Sequence, residues 1–410
     1  MPAADAAAEV HARRYVTSRG YAGRIVARAA ELDPAAWHAA LADDAKDWRY
    51  HEVCEASLQK GFDYRYLVID DPAGKTVAVQ PFFLNDQDIT EGLGASLRRP
   101  LVALRRWWPR WLKTRMLMVG CTGGEGSLGL TLPKTDPAAR AAIDALLEVL
   151  HRYAQTVGVA IITFKDFKNE WRATLTAPAA ARGYVRMPSF PATTIPLREY
   201  KSFDDYLARR LGKAMRKNLR RKFRSDDSNA GKEKRLVLEV RNDVRDCVDE
   251  LLPLYQQVLA RSKFCFEELT KEYFLGLGER LPDRAKFFIW RLAGSGQAVA
   301  VSLCLVHGGT LYDNYLGLDY AHALDLHLYF VTMRDLISWG IEHGLRTYYS
   351  TPLNYDAKLH LRFDLAPLDL YVRHVNGFFN LFFKRIAPLL EPTRYDKLLP
   401  RFPNFADLNG

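Results

Sequence analysis

The 410-residue chain carries 58 Lys and Arg against 48 Asp and Glu, a formal net charge of +10, and is 48% hydrophobic and 12% aromatic. This length predicts two or three domains, and the apolar content argues against disorder. Its N-terminal residues have no apolar signal core, and no run reaches the roughly 18 apolar residues of a spanning helix. Five scattered cysteines without a CxxC pair argue against disulfides or a zinc cluster. We therefore predict a cytoplasmic protein. Its positive charge suggests an anionic partner but does not identify which one.

Two segments of the chain, 64–84 and 286–306, share one pattern. Each has an aromatic-rich run, a short turn containing glycine and a second run of alternating character, which is typical of a β-hairpin. When Gly74 is aligned with Gly296, a Val-Ala-Val triplet follows at the same offset in both halves. The match indicates an internal repeat.

The segments around each hairpin extend the repeat. Helical patterns precede the hairpins near residues 37–58 and 248–259, and apolar spacing predicts later helices over about 136–153 and 326–343, each followed by a strand. The order helix, hairpin, strand, helix, strand predicts an α/β fold with a mixed sheet in each half. Two unrelated α/β halves with similar hairpins are the alternative.

A strongly basic helix is predicted over residues 207–224, with an apolar residue at every fourth position from Leu207 to Phe223. Its other faces carry nine Lys and Arg residues, including Arg216, Lys217 and Arg220 beside Asn218. This density suggests an anion-binding surface for cofactor phosphates, tRNA or lipid headgroups. A solvated basic face on a linking helix is the alternative.

Three segments carry a family resemblance: LARRLGKAMRKNLRRKFR (207–224), GQAVAVSLCLVHGGTLYDNYLGLDY (296–320) and SWGIEHGLRTYYSTPLNYDAKLHLRF (338–363). In these segments the chain resembles the GNAT superfamily, and within it the FemAB-like and BioF2-like tandem acetyltransferases. The resemblance implies an α+β mixed-sheet fold with GNAT-like domains at residues 1–200 and 241–410, joined by a basic helix and loop at 201–240. The usual Q/R-x-x-G-x-G/A pyrophosphate loop is missing, since Asp319–Asp325 stands in its place. Coenzyme A as donor therefore rests on the resemblance alone.

The resemblance also implies where acyl transfer would occur: between a fourth strand at Thr310–Gly317 and a fifth at Leu345–Thr351. Period-two alternation places Leu311, Asp313 and Tyr315 on one face and Asn314 on the other. An aspartate within an apolar strand is costly to bury unless it is paired. Asp313 is therefore our candidate base or amine anchor, with Tyr315 beside it, and a strand-end aspartate reaching solvent is the alternative.

Two further candidates lie in the loop after the fifth strand. Tyr355 is a candidate acid or hydrogen-bond donor, and Lys358 a candidate ligand for a carboxylate or phosphate; both could be ordinary loop surface. Besides Lys358, the candidates for substrate or cofactor binding are the basic-helix residues Arg216, Lys217, Asn218 and Arg220, together with Asn314 and Asp319. Asp319 could instead cap the turn before the long helix. We assign no metal site, because His322 and His327 do not have a ligand spacing.

The first half offers no acid–base constellation. Its segment Gly120–Gly129 is rich enough in glycine to hold a phosphate but lacks the lysine of a P-loop, and a flexible connection is the simpler interpretation. We predict that this half supports the second and closes over its cleft.

Two stretches combine aromatic and basic residues: 98–115, with Trp107, Trp108 and Trp111, and 377–390, GFFNLFFKRIAPLL. This composition is typical of an interfacial anchor, and equally of a core-facing segment whose basic groups reach outward. Peripheral contact with the inner membrane is therefore a hypothesis.

The leading functional hypothesis is an N-acyltransferase that moves an acyl group from a thioester, on coenzyme A or an acyl carrier protein, to a small-molecule or lipid-linked amine. The alternatives are an aminoacyl-tRNA-dependent transferase and a non-catalytic binding scaffold. A tRNA partner is disfavoured because few aromatics accompany the basic residues, and no DNA partner is expected.

Overall fold

The computed structural model describes residues 14–88, 99–100, 102–107, 113–226, 234–262 and 265–410, which form two mixed β-sheets with packed helices. The strands are β1 Arg14–Val16, β2 Ala22–Val26, β3 Asp63–Asp70, β4 Thr76–Asp88, β5 Lys113–Val119, β6 Ile161–Lys168, β7 Val185–Pro188, β8 Ala192–Pro196, β9 Leu236–Arg241, β10 Ala285–Leu292, β11 Ala298–His307, β12 Thr310–Leu318, β13 Thr347–Ser350, β14 Asp364–Ala366 and β15 Leu368–His374. The helices are α1 Pro34–Ala40, α2 Trp48–Ser57, α3 Pro137–Thr156, α4 Arg172–Ala181, α5 Phe203–Arg210, α6 Lys213–Phe223, α7 Val248–Leu259, α8 Lys271–Arg280, α9 Leu328–Glu342, α10 Tyr355–His360 and α11 Gly377–Ile386.

The first sheet has the strand order β1-β2-β3-β4-β5-β6-β15-β7. The predicted hairpin is confirmed as β3 and β4, and its turn uses Gly74 at φ 85°, a conformation that favours glycine. Asp136 caps α3 through the Ala138 N–H. The predicted apolar stripe of α3, including Ile143 and Leu147, is fully buried in the first core.

The second sheet has the order β14-β8-β13-β12-β11-β10-β9, and the second predicted hairpin is confirmed as β10 and β11. Its two faces are covered by different helices: Leu336 and Ile337 of α9 pack in one core cluster, and Leu251 and Leu254 of α7 in another. Both halves therefore contain a hairpin followed by a parallel strand pair, β5 with β6 and β12 with β13.

The two sheets exchange strands. β8 precedes residue 200 but pairs with β13 and β14 in the second sheet, whereas β15 lies near the C-terminus but inserts between β6 and β7 of the first sheet. Arg172 of α4 and Arg186 of β7 both bind the buried carboxylate of Asp369 on β15. The domain limits at residues 200 and 240 stay a prediction, and neither sheet is built from one continuous segment.

The basic segment is helical as predicted, but it forms two helices rather than one. Leu211 is extended, and Gly212 caps the second helix, so the break falls where glycine disfavours a continuous helix. Leu207, Leu211 and Leu219 are buried in the second core, which confirms the predicted inner face.

In the part of the chain that is described, none of the helices has the length and apolar character needed to traverse a bilayer.

Candidate functional site

The parallel pair β12 and β13 separates partway along its length. Pairing runs from Thr310 with Thr347 to Asp313 with Ser350, after which β12 continues to Leu318 beside β11. Two hydrogen bonds still cross the junction beyond this pairing. The Thr351 N–H donates to the Asp313 carbonyl and the Thr351 hydroxyl donates to the Asn314 carbonyl, both at 3.3 Å. The gap predicted between the fourth and fifth strands is therefore present, and it opens at Asn314.

A β-bulge lies at the same point. Leu303 of β11 pairs with Tyr315 and Cys304 with Asp313, so Asn314 is the extra residue. The prediction that Asp313 and Tyr315 share a face is therefore wrong. Asp313 points toward Tyr348 and the α9 side of the sheet, whereas the Tyr315 ring packs against Tyr255 and Tyr273 on the α7 side.

A cavity of about 920 Å³ fills the space beyond this gap, between the two halves of the molecule. The second half supplies mainly apolar groups to its wall from α6, α7, β12 and α9: Met215, Leu219, Val258, Leu259, Leu316, Leu318, Tyr329 and Phe330. The first half supplies mainly polar and charged groups: Gly123, Gly124, Glu125, Lys165, Asp166 and Ser189. The cavity thus has an apolar side and a charged side, a composition typical of small-molecule sites.

The Asn314 side chain is the polar group at the opening of the strands. It is 7% exposed, and neither its amide nitrogen nor its oxygen has a hydrogen-bond partner among the described residues. Buried amides without partners are rare because each loses its hydration without compensation. Asn314 is among the residues that line the cavity, but its two amide atoms are themselves closed off from solvent, so a bound molecule reaches the amide only if the local packing shifts.

Glu267 and Tyr315, both from the second half, form a hydrogen-bonded pair in the cavity wall. The Tyr315 hydroxyl donates to Glu267 Oε1 at 2.6 Å, and both residues line the cavity. Burial raises the pKa of the Glu267 carboxyl, and Lys165 and the Tyr315 hydroxyl reduce that rise. A carboxylate with a raised pKa is a stronger base than an exposed one, which makes Glu267 the strongest candidate base in the described part of the cavity.

Lys165 and Asp166 lie near the end of β6 and also line the cavity. Lys165 Nζ lies 2.8 Å from Asp166 Oδ2, donates to the Gly124 carbonyl at 3.1 Å, and stands over the Phe266 ring. Burial opposes the charged ammonium, but Asp166 and Glu267 together hold the pKa of Lys165 above its ordinary value. Lys165 is therefore ion-paired with Asp166 and also interacts electrostatically with Glu267.

Strained backbone also concentrates here. Asp166, Leu353 and Asn354 all line the cavity and have φ values of 54°, 75° and 53°, in the left-handed region that glycine normally occupies. Each such residue costs on the order of 1 to 3 kcal/mol, and strain of this kind clusters at active sites and ligand clamps.

The glycine-rich segment 120–129 is a tight contact between the two halves. A Cβ on Gly123 would lie 2.8 Å from the hydroxyls of both Tyr315 and Tyr50, and one on Gly124 would overlap Lys46 Nζ. Lys46 forms a buried ion pair with Glu125, which holds the Glu125 pKa at about 2 against the effect of burial. The glycines are therefore explained by close packing, and the Glu125 carboxylate makes this segment an unsuitable phosphate cradle.

Three predicted site residues lie behind the cavity wall. Asp313 accepts hydrogen bonds from Ser302 at 2.5 Å and Tyr348 at 2.6 Å, and burial raises its pKa. The Tyr355 hydroxyl donates to the Pro191 carbonyl at 2.8 Å. Lys358 is 3% exposed, donates to the Thr351 carbonyl, and has its pKa lowered to about 7 by burial, an effect that Asp313 partly offsets. Their catalytic and binding roles stay predictions. Their positions indicate instead that they stabilise the junction between β12 and β13.

The basic-helix candidates are mostly turned away from the cavity. Asn218 lines the wall, together with the neighbouring Lys222, which lies 3.4 Å above the Phe330 ring. Arg216 donates to the Ala208 carbonyl, Lys217 is exposed, and Arg220 lies 3.7 Å from Asp204. Asp319 accepts from the Ala321 N–H and contacts His322, which is the capping arrangement given above as its alternative.

Sequence reasoning missed Glu267, Lys165 and Asp166. The Lys-Asp pair within the apolar strand ITFKDFK could have indicated the site, because burying charged side chains costs free energy unless they are paired. Glu267 gives no local signal in its loop. Within the described ranges, no three His, Cys, Asp or Glu side chains gather as metal ligands would.

The described part of the molecule has two sheets, each with a hairpin and a parallel strand pair, and a cavity where the second pair separates. This arrangement defines a tandem GNAT-type fold. A sequence model of the FemAB-like family, described as peptidoglycan biosynthesis/recognition, matches residues 28–350. Because the match spans well over half of the chain, the protein belongs to the FemAB-like family, and the predicted resemblance is confirmed.

Two solved structures, FemX and L-PGS, share this fold. FemX aligns with a TM-score of 0.50 at 11% identity over 79% of this chain and 90% of its own. L-PGS from Bacillus licheniformis aligns with a TM-score of 0.50 at 14% identity over 90% of this chain and 99% of its own. A tandem GNAT protein from the clavulanic acid pathway is similar over 87% of this chain and 99% of its own, at 12% identity and a TM-score of 0.47. No curated protein matches the sequence.

Proposed function

We propose that the protein is an acyl or aminoacyl transferase that acts on an amine acceptor in the cavity between its two halves. One observation carries the proposal: the pairing of β12 and β13 stops at Asp313 and Ser350, where Asn314 lines the cavity and its buried amide has no partner in the described structure. A carbonyl that accepts a hydrogen bond from this amide would be stabilised as negative charge develops on its oxygen.

The polar residues of the cavity wall have separate roles in this proposal. Glu267 takes the proton from the acceptor ammonium or amine, because burial makes its carboxyl a stronger base than an exposed glutamate. Tyr315 is a positioning residue that fixes the Glu267 carboxylate. Lys165 moderates the pKa of Glu267 and keeps a positive charge near the leaving group.

The apolar side of the cavity suits the acyl donor. Thioesters of coenzyme A or of a carrier protein present a flexible chain with few charges near the carbonyl, which matches the wall formed by α6, α7 and α9. Family membership favours a second donor, an aminoacyl-tRNA, and a peptidoglycan-type or lipid-linked acceptor. The same family description includes recognition, so a binding protein without turnover is the competing class.

A donor panel tests these alternatives. The purified protein is incubated with labelled acetyl-CoA, long-chain acyl-CoA, acyl carrier protein and aminoacyl-tRNA, each with peptidoglycan-precursor peptides or aminated lipids, and products are read by mass spectrometry. Turnover that falls in an Asn314→Ala variant supports the transferase. Tight acceptor binding without turnover from any donor would favour the recognition protein instead.

We also propose that the protein works in the cytoplasm, next to the inner membrane where lipid-linked substrates lie. In segment 98–115, Trp107 is 74% exposed, while Trp108 and Trp111 lie outside the described residues. The structural argument for membrane contact therefore comes from the second stretch, 377–390.

A further inference from the structure

The outward face of α11 is apolar. Phe378, Phe379, Leu381, Phe382 and Ile386 are each about half or more exposed, reaching 65% at Phe378, and Leu389 extends the same surface. We call these six residues the α11 patch. Scattered apolar side chains are common on protein surfaces, but a contiguous group of large ones marks an interaction site.

The opposite face of α11 contains the polar anchors. Asn376 caps the helix by accepting from the N–H groups of Phe378 and Phe379. Asn380 is buried, donates to the Gly183 carbonyl and accepts from the His374 N–H, both at 2.9 Å. Phe383 and Ala387 complete the inner face. The helix is thus held with its apolar side outward, the reverse of an ordinary surface helix.

Basic side chains border the α11 patch. Lys384 and Arg385 are exposed on the helix, and Arg394 donates to the Pro388 carbonyl beside it. The nearby acids are engaged in local contacts: Glu391 with the Thr393 hydroxyl, and Asp396 with the N–H groups of Leu398 and Leu399. Exposed aromatics rimmed by Lys and Arg are the composition of a helix that lies in the headgroup region of a bilayer.

We propose that the α11 patch docks this protein on the surface of an anionic phospholipid bilayer. The ten-residue helix is only about 15 Å long, so it lies in the interface and does not cross it. A second copy is the poorer occupant, because a two-fold contact across α11 would bring the basic groups of both copies together. Docking here does not require the transfer reaction, so each is tested without the other.

Vesicle flotation tests the proposal with the full chain. Phosphatidylcholine vesicles with and without phosphatidylglycerol are used at low and high salt. The wild-type protein should float with the anionic vesicles, and high salt should weaken its binding. The triple variant Phe378→Ser/Leu381→Ser/Phe382→Ser should lose at least about tenfold in partition coefficient. Val16→Ser/Val237→Ser, two exposed apolar residues elsewhere, is the matched control and should bind normally.

A second variant separates the charge contribution from the apolar one. Lys384→Gln/Arg385→Gln should bind about tenfold more weakly and lose most of the salt dependence, while circular dichroism stays unchanged. Failure of the wild type to float with anionic vesicles at low salt would overturn the proposal. So would equal flotation of the triple variant, or a lipid-independent dimer in ultracentrifugation that the triple variant abolishes.

Discussion

The Tyr315 hydroxyl donates to the Glu267 carboxylate at 2.6 Å, which joins the bulged strand β12 to the loop that follows α7. Because the bulge at Asn314 turns Tyr315 toward α7, this hydrogen bond and the unpartnered Asn314 amide have one structural origin. A single irregularity in the second sheet thus places both the candidate oxyanion donor and the tyrosine that holds the candidate base.

Replacing the candidate base should abolish most activity while the protein stays folded. Glu267→Gln keeps the shape of the side chain but cannot accept a proton, so we expect kcat to fall about 100- to 10,000-fold. The matched control is Glu268→Gln, since Glu268 is exposed and pairs only loosely with Lys60 at 3.2 Å. Equal losses in both variants would contradict the assignment.

The pH profile should report the hydrogen bond from Tyr315. Glu267 acts as a base only when ionised, so the acidic limb of kcat/KM should follow its pKa, which burial raises. Tyr315 stabilises the ionised form, so Tyr315→Phe should raise the pKa further and move the limb to higher pH. The limb should disappear in the Glu267→Gln background, and a limb that persists there would assign the titration to another group.

Asn314→Ala should separate activity from stability. The loss of the amide should lower kcat/KM about 100-fold or more, as for other oxyanion donors. The free energy of unfolding should stay equal or increase, because the variant removes a buried polar group that lacks a partner in the described fold. Parallel chemical denaturation and kinetics give both readings, and a large loss of stability would indicate a structural role instead.

The ion pair between Lys46 and Glu125 should stabilise the packing of the glycine-rich segment 120–129 within the first half. Both side chains are 4% exposed, so Lys46→Met leaves a buried carboxylate without its cation and should cost about 3 to 5 kcal/mol at pH 7. The double variant Lys46→Met/Glu125→Met should recover most of this loss. Because the Glu125 pKa is lowered to about 2, its stabilisation is complete above pH 4.5 and decreases toward pH 2. An additive double variant would show that the two groups are not coupled.

The sequence by itself determined the local elements. Alternation around Gly74 and Gly296 predicted both hairpins, and helical spacing predicted α3, α7 and α9, because these patterns depend on residues within one or two turns of each other. The family resemblance added the position of the split between the fourth and fifth strands. It also suggested Asn314 as a binding residue, although Asp313 was preferred for catalysis.

Only the tertiary structure decided which side chains meet. The bulge at Asn314 depends on pairing with β11 and reverses the face of Tyr315, which a strict period of two cannot anticipate. The exchange of β8 and β15 between the sheets, and the electrostatic interaction of Glu267 with Lys165 from the other half, depend on residues about a hundred or more positions apart. Such long-range pairing is selected by the burial of whole faces rather than by local propensity, so the chemistry of the cavity became visible only once the halves were packed together.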